Sequence, residues 1–509
     1  MEQTFQKHYF FVILAYCFPH WGTAQASKPP VYTQKIPVAA LHQDLDILQE
    51  NLKLVHTGLY AYNDEATLDQ AFLSVKEDIQ EPITALDFYR KMTQLLPVIA
   101  NGHTQMSPPR AYEKAAPLQE SVLPFLTYWD RDTLYITKNL SNDESILPRT
   151  AILSINGEST QSIIERLMAT QTRDGFNNTL PRRNVTNNFI GWYARMIGSP
   201  ETFELEIVNP EGQAEQLTIA AHYADEMRAI YKERYGTPKK SFWQDKNIPT
   251  LELAIDGKIA TLTIRTFSMS FTKKYKDQKF KPFFKEAFEK IEQAGVEHLI
   301  LDLRSNGGGD PKPTVALLAH LLDEEFTFYK DITALQKKLP NKQYYVDQPV
   351  FWHNMMHKVG FKKRGNSYAV KETGLTRLFG AAGLKPTKPA KTVYQGELYI
   401  LTNAASFSAT GETIAVIKDR NMATFIGEEA GGNPNQNTSG TSLMMELPNS
   451  KCLVEMPFWL FEMNVAFDNT GHSVIPDYPV RNTIDDVLAG RDAVMAFTLG
   501  LITEQEGEK

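Results

Sequence analysis

The feature that most limits what this chain can fold into is a run of apolar residues, His298 to Leu303, followed at once by Arg304-Ser305-Asn306-Gly307-Gly308-Gly309. A short run without polar alternation is the pattern of a strand buried on both faces. Glu397 to Thr402 and Ala423 to Ile426 repeat it, and Lys258 to Thr266 alternates like a strand. Helical patterns lie between these strands. Phe283, Phe284, Ala287, Phe288 and Ile291 share one helical face, and Thr314 to Leu322 and Thr413 to Lys418 read as helices. Strands alternating with helices predict a parallel α/β sheet with crossover connections. This α/β unit is expected over 250–503. Residues 325–395 interrupt it as an insertion of aromatic and basic character.

The rest of the chain divides by pattern. With 509 residues, two to four domains are expected. Leu41, Leu45, Leu48, Leu52 and Val55, then Phe88, Met92, Leu95 and Leu96, recur at helical spacing, so 27–118 reads as a helical domain that Pro108-Pro109 closes. Residues 119–225 read as a small β-rich module with strands at Leu123 to Trp129, Thr133 to Thr137, Ala151 to Ile155 and Phe203 to Val208. Asn156-Gly157 marks a turn in it, and Ser162 to Met168 a helix. Residues 226–249 are polar and read as a linker or exposed helix.

Residues 1–26 have the form of a secretory signal. Lys7 and His8 precede the apolar Tyr9 to Phe18, and Ala24-Gln25-Ala26 supplies an A-x-A cleavage site. The apolar stretch is too short to span a bilayer. Cys17 raises lipidation as an alternative, but Tyr16 stands where a small residue is wanted, which favours cleavage after Ala26. The mature chain then carries only Cys452 and no internal disulfide, and is expected in the periplasm or secreted. No further segment is apolar enough to span a membrane. A net charge of −7 with both signs interspersed argues against a nucleic-acid or anionic-membrane partner. Scattered histidines and the absence of H-E-x-x-H give no expected metal site, and no cofactor is expected.

Two loops carry candidate chemistry. The glycines after Leu303 allow backbone N–H groups to converge on one point, as a phosphate cradle or an oxyanion hole would require. No G-x-x-x-x-G-K-[ST] accompanies them. The second loop, Asn403-Ala404-Ala405-Ser406-Phe407-Ser408-Ala409-Thr410-Gly411-Glu412, also joins a buried strand to a helix. A serine there either caps the helix or acts as a nucleophile where the helix dipole favours negative charge. Two such loops at the carboxyl ends of neighbouring strands favour the active-site reading.

LILDLRSNGGG, SFSATGE, FIGEEAGG and SVIPDYPV, in that order, resemble the catalytic domain of tail-specific (C-terminal processing) serine peptidases. That resemblance implies a fold related to the Clp protease and crotonase superfamily. It implies Ser408 as nucleophile and an oxyanion hole from the N–H of Ala409 and one of the Gly307-Gly308 turn. It further implies peptide-bond hydrolysis of protein or peptide substrates through an acyl-enzyme. The segment around Ile152-Leu153-Ser154-Ile155-Asn156-Gly157 resembles the family's PDZ-like domain. One branch of the family uses a lysine base 25 residues after the serine, but that position holds Asn433. Ile99-Ala100-Asn101-Gly102-His103-Thr104 instead resembles the tricorn-like branch, which implies His103 as base. That branch has a serine before the histidine and a glutamate near its PD motif. Gly102 stands here, and Asp468 is the nearest acid on the N-terminal side of Pro476-Asp477. His472 is the rival base.

Three other readings compete. Ser270-Phe271-Thr272-Lys273 fits S-x-x-K, but Lys391-Thr392 is followed by Val393 where a K-T-G box needs glycine. A crotonase-type acyl-CoA enzyme conflicts with an export signal. A non-catalytic peptide-binding protein with a degenerate peptidase fold is the remaining alternative. Oligomeric state is not legible.

Overall fold

The computed structural model describes residues 31–346, 360–374, 376, 381–440, 442–467 and 470–508. The signal-like residues 1–26, with Cys17, lie outside the described residues, and so does Asp468. Among the described residues no helix is long and apolar enough to cross a membrane.

The three-and-four spacing of leucines in 41–55 becomes the buried face of helix α1 (Val38–Val55). Asp44 lies on the same face, and its carboxylate accepts the backbone N–H groups of Asn449 and Ser450 at 3.1 and 2.7 Å. Those bonds tie α1 to a loop far along the chain. Helices α2 (Glu65–Glu77) and α3 (Ala85–Met92) start at Asp64 and Thr84, whose side chains accept the N–H groups of Thr67 and Asp87. The apolar face through Phe88, Met92, Leu95 and Leu96 is buried as expected. It does not belong to one helix, because a 3₁₀ turn separates α3 from the single turn α4 (Leu96–Ile99). Strand β1 (Gln105–Ser107) follows.

Residues 125–220 form a six-stranded antiparallel sheet, with β2 (Phe125–Asp130), β3 (Thr133–Asn139), β4 (Ala151–Ile155), β5 (Thr202–Val208) and β6 (Ala214–Ala220) in chain order and the short strand Glu158–Ser159 paired to β4 off that path. Helices α5 (Thr160–Met168) and α6 (Thr179–Asn187) lie between β4 and β5. Asn156 and Gly157 both take positive φ, +53° and +79°, which a two-residue hairpin turn of matching twist requires. This sheet has its own buried cluster, including Phe125, Leu134, Ile152 and Phe203. Helix α7 (Ala224–Tyr235) occupies the start of the polar segment and buries only Met227.

The α/β sheet is built from β7 (Leu251–Asp256), β8 (Ile259–Ile264), β9 (His298–Asp302), β11 (Glu397–Thr402), β12 (Thr424–Gly427) and β17 (Tyr478–Pro479). Between them run α8 (Phe280–Gln293), α9 (Pro311–Leu318), β10 (Tyr329–Ala334), α10 (Ala409–Asp419), β13 (Gln436–Asn437), β14 (Ser442–Glu446), β15 (Leu453–Pro457) and β16 (Leu460–Met463). The six strands lie in the order β7-β8-β9-β11-β12-β17, and every pairing after β7–β8 is parallel. β9 and β11 are neighbours, with His298 opposite Glu397 and Asp302 opposite Leu401. The glycine loop and the serine loop therefore leave the sheet side by side. The helix at 409–419 starts earlier than the apolar pattern from Thr413 predicts, directly after Ser408.

Segment 325–395 is more than an excursion. Its strand β10 pairs with β16, and β16 pairs with β13, inside a second, antiparallel sheet. A third sheet joins β1 to β15, with Gln105 opposite Glu455. One buried cluster runs from Leu41 and Phe88 through Leu299 and Ile400 to Phe461 and Val474. The N-terminal helices thus pack into the core of the sheet unit, while the module at 125–220 keeps a separate core.

Candidate active site

Ser408 ends the tight turn between β11 and α10. Its backbone has φ +55° and ψ −128°. Positive φ is costly for a side chain with a Cβ, on the order of 1–3 kcal/mol, and such strain concentrates at functional sites. The hydroxyl does not cap the helix. Its oxygen lies 3.1 Å from Nε2 of His103. Ser406 has the structural task instead: its Oγ donates to the carbonyl of Leu303 and accepts the N–H of Asn403, at 2.9 and 3.1 Å.

The glycine loop is locked against this turn. Buried Asn306 donates from Nδ2 to the carbonyl of Ile264 at 2.9 Å, and its own carbonyl accepts the N–H of Phe407 at 3.1 Å. A Cβ on Gly308 would lie 2.8 Å from the nitrogen of Ala409, the carbonyl oxygen of Phe407 and the Cβ of Ser408, so only glycine permits this approach. The N–H of Gly308 already donates to Oδ1 of Asn306 at 3.0 Å. Gly307 is half-buried beside it. Ala409 occupies the first position of α10, where an N–H has no partner within the helix. Asp302 is occupied by Arg304, whose Nε and Nη2 donate to it at 2.9 and 2.7 Å, which is a structural role.

His103 reaches Ser408 from a different part of the chain. Ala100, at φ +50°, ends α4 in the left-handed region, and Asn101 then shapes the turn. Its Oδ1 accepts the N–H of His103 and the hydroxyl of Thr104, and its Nδ2 donates to Oγ1 of Thr438 at 2.7 Å. The ring is buried and stacks on Phe407 with centroids 4.5 Å apart. Burial, with His56 nearby, pushes the imidazole down to about 3, so the ring is neutral at physiological pH. A neutral ring whose Nε2 accepts the Ser408 proton carries its own proton on Nδ1. That atom is buried and has no hydrogen-bond partner among the described residues. Asp468 lies outside them.

Gly102 also has a physical reason. A Cβ there would meet Oδ2 of Asp174 at 2.6 Å and the Phe407 ring at 2.8 Å. A serine before the histidine has no room in this turn. Sequence reading missed Asp174, whose Oδ1 accepts the N–H of Gly102 at 2.9 Å and whose carboxyl burial pushes up to about 7. It belongs to a stretch of the β-rich module that clamps the site. Thr172 donates to the carbonyl of Asn101, Gly175 to that of Ala100, Asn177 to that of Ala430 and Phe176 to that of Gly471.

Two other candidates make their contacts elsewhere. His472 is exposed, and its Nδ1 lies 3.2 Å from Oε1 of Glu429. Asn433, at the lysine position of the other branch, donates to the hydroxyl of Tyr62. Asn437, unremarked in the sequence, has its Nδ2 3.5 Å from Oγ of Ser408 and 2.5 Å from Oε1 of Glu412. A group able to hold a metal among the described residues is Glu297, His298 and Glu506, at the amino end of β9 and away from Ser408. Lys258 Nζ sits 2.6 Å from Glu297, and His298 Nε2 lies 3.4 Å from Glu506, so each acid already faces a nitrogen.

A strained serine within reach of a buried neutral histidine, beside a loop that only glycine can form, is the arrangement of a serine-type peptidase. Residues 258–465 match the model of peptidase family S41, so the chain carries an S41 peptidase domain and is a serine-type peptidase. Among solved structures, a CPAF mutant matches with a TM-score of 0.60 at 14% identity, covering 89% of this chain and 94% of that one. Mature CPAF complexed with lactacystin matches with a TM-score of 0.58 at 16% identity, covering 89% and 95%. At such identity the likeness establishes the fold. No curated protein matches the chain by sequence.

Proposed function

We propose that the chain is an exported serine endopeptidase that hydrolyses proteins or peptides through an acyl-enzyme on Ser408. The observation that carries this reading is the 3.1 Å contact between Oγ of Ser408 and Nε2 of His103. In the proposed reaction, neutral His103 takes the hydroxyl proton as Oγ attacks the substrate carbonyl. The imidazolium then gives that proton to the leaving amine, and water repeats the sequence to release the acid. The N–H groups of Ala409 and of the Gly307-Gly308 turn stabilise the oxyanion. Within that turn we assign Gly307, because the Gly308 N–H already has an acceptor. Asp468 is assigned on its sequence position as the acid behind His103, of the tricorn-like kind. The A-x-A motif at 24–26 supports export by cleavage after Ala26, to the periplasm or the medium.

The six-stranded antiparallel sheet at 125–220 supports a PDZ-like role, in which an extended substrate adds to a sheet edge. The test is digestion of an unfolded protein such as casein, with product mapping by mass spectrometry. Internal cleavages that vanish in Ser408→Ala are expected. Equal digestion by wild type and Ser408→Ala would refute the assignment.

A further inference from the structure

Ser408 has a second polar neighbour besides His103. Asn437 lies in β13, and Tyr329 lies in β10, on the other side of β16 from β13. Both side chains converge on Glu412 in the first turn of α10. The hydroxyl of Tyr329 donates to Oε2 of Glu412 at 2.6 Å, and Nδ2 of Asn437 donates to Oε1 at 2.5 Å. Each carboxylate oxygen therefore has one donor. All three residues are buried. An ionised carboxylate only accepts, so the Asn437 atom that faces it must be the NH₂ group. That group has a second hydrogen, and Oγ of Ser408 lies 3.5 Å from the same nitrogen.

This arrangement sets the direction of the serine proton. With an N–H aimed at one lone pair of Oγ, the serine's own hydrogen is left for Nε2 of His103. A contact of 3.5 Å is long for a hydrogen bond in the resting state, and catalytic bonds commonly tighten only as charge develops. As the proton leaves and negative charge grows on Oγ, the Nδ2–H contact strengthens, so it favours the transition state over the ground state.

We infer that Asn437 is a further catalytic residue, whose Nδ2–H steadies Oγ of Ser408 while His103 removes its proton, and that Glu412 and Tyr329 are the positioning residues that hold its amide. The inference rests on the assignment of Ser408 and His103 given above. It also gives segment 325–395 a part in the chemistry, since Tyr329 is drawn from it. Burial pushes Glu412 up to about 7 against its two hydrogen bonds, so the ionised form that only accepts is the major one above that pH.

The experiment measures kcat and KM on a peptide substrate, and the rate of fluorophosphonate labelling, for Ser408→Ala, Asn437→Ala, Glu412→Ala, Glu412→Gln and Tyr329→Phe. Asn437→Ala is expected to lower kcat and the labelling rate on the order of 100-fold, with KM within about twofold, as for loss of one preorganised donor. Glu412→Ala should follow it. Glu412→Gln, which still accepts from Asn437, should recover about tenfold over Glu412→Ala, and Tyr329→Phe should lose about threefold. A purely structural role would instead leave the labelling rate of folded protein unchanged. Hydrolysis surviving in Ser408→Ala would refute the parent assignment. An inactive Ser408→Ala beside an Asn437→Ala with wild-type kcat would overturn this inference alone. If Asn437→Ala fails to fold, Tyr329→Phe decides, and an unchanged kcat there overturns it.

Discussion

The turn that presents Ser408 and the turn that presents His103 meet at 3.1 Å, yet they are held in opposite ways. The serine turn is a short stretch between β11 and α10, pinned to the neighbouring glycine loop through Ser406 and Asn306. Its shape follows from strand, turn and helix in immediate succession. The histidine turn has a local frame only in Asn101, which accepts from His103 and Thr104, and distant segments hold the rest. Thr438 holds Asn101, β15 holds the following β1, and Thr172, Asp174 and Gly175 of the β-rich module hold Asn101, Gly102 and Ala100. One half of the pair is encoded locally and the other by tertiary contact. Changes in the module can therefore shift His103 without touching Ser408.

The largest effects should come from the pair itself. Ser408→Ala and His103→Ala should each lower kcat/KM on the order of a thousandfold or more, and the double variant should be little worse, because the two act as one unit. His472→Ala should stay near wild type. Steady-state kinetics of the set check this.

Loop variants separate the two turns. Gly308→Ala forces a Cβ against the Ser408 turn at a φ of +96°, and should lower both kcat and thermal stability. Asp174→Ala removes the acceptor of the Gly102 N–H. It should lower kcat about tenfold while leaving the backbone around Ser408 in place, since a small misplacement of a catalytic group is costly. Asp174→Asn keeps an acceptor and should lose less. If Asp174→Ala is silent, the base turn is held well enough by Thr438 and β15.

Acidity sharpens the comparison further, with a smaller effect. The sequence suggests a pH profile that rises through an ordinary imidazole pKa of about 6.5. Burial moves His103 to about 3, so the acid limb of kcat/KM from this group should lie well below 6. Stability carries a related signature. His103 and His56 are held down to about 3 and about 4, so the unfolded chain takes up protons that the fold excludes. Their contribution is full above about 6.5 and is lost as pH falls towards the folded values. Asp174 and Glu412, raised to about 7, act in the opposite sense. Their contribution is full below about 4 and is lost as pH rises through 7. Thermal melts from pH 4 to 8 should show a smaller acid-side fall in His56→Gln than in wild type.

The difference between the turns also decides what was legible beforehand. The strands at 298–302 and 397–402 and the loops after them could be read because buried parallel strands leave contiguous apolar runs. Ser408 was legible with them. His103 was reached only through a motif resemblance, since nothing local marks a buried histidine. Asp174 and Asn437 gave no signal, and Glu412 stood only at the end of the serine loop, because the contacts they make arise where the module, segment 325–395 and α10 converge. The helical pattern of 39–118 was visible, but not its burial in the same core as the sheet, which depends on contacts such as Asp44 with Asn449.

The central claim is that Ser408 is a nucleophile activated by His103. The most direct measurement is the site and rate of reaction with a fluorophosphonate, read by peptide mass spectrometry on wild type and on folded His103→Ala. The account predicts a single adduct on Ser408 in wild type, formed on the order of a hundredfold or more slowly without His103. An adduct on another residue, or an equal rate in the two proteins, would contradict it.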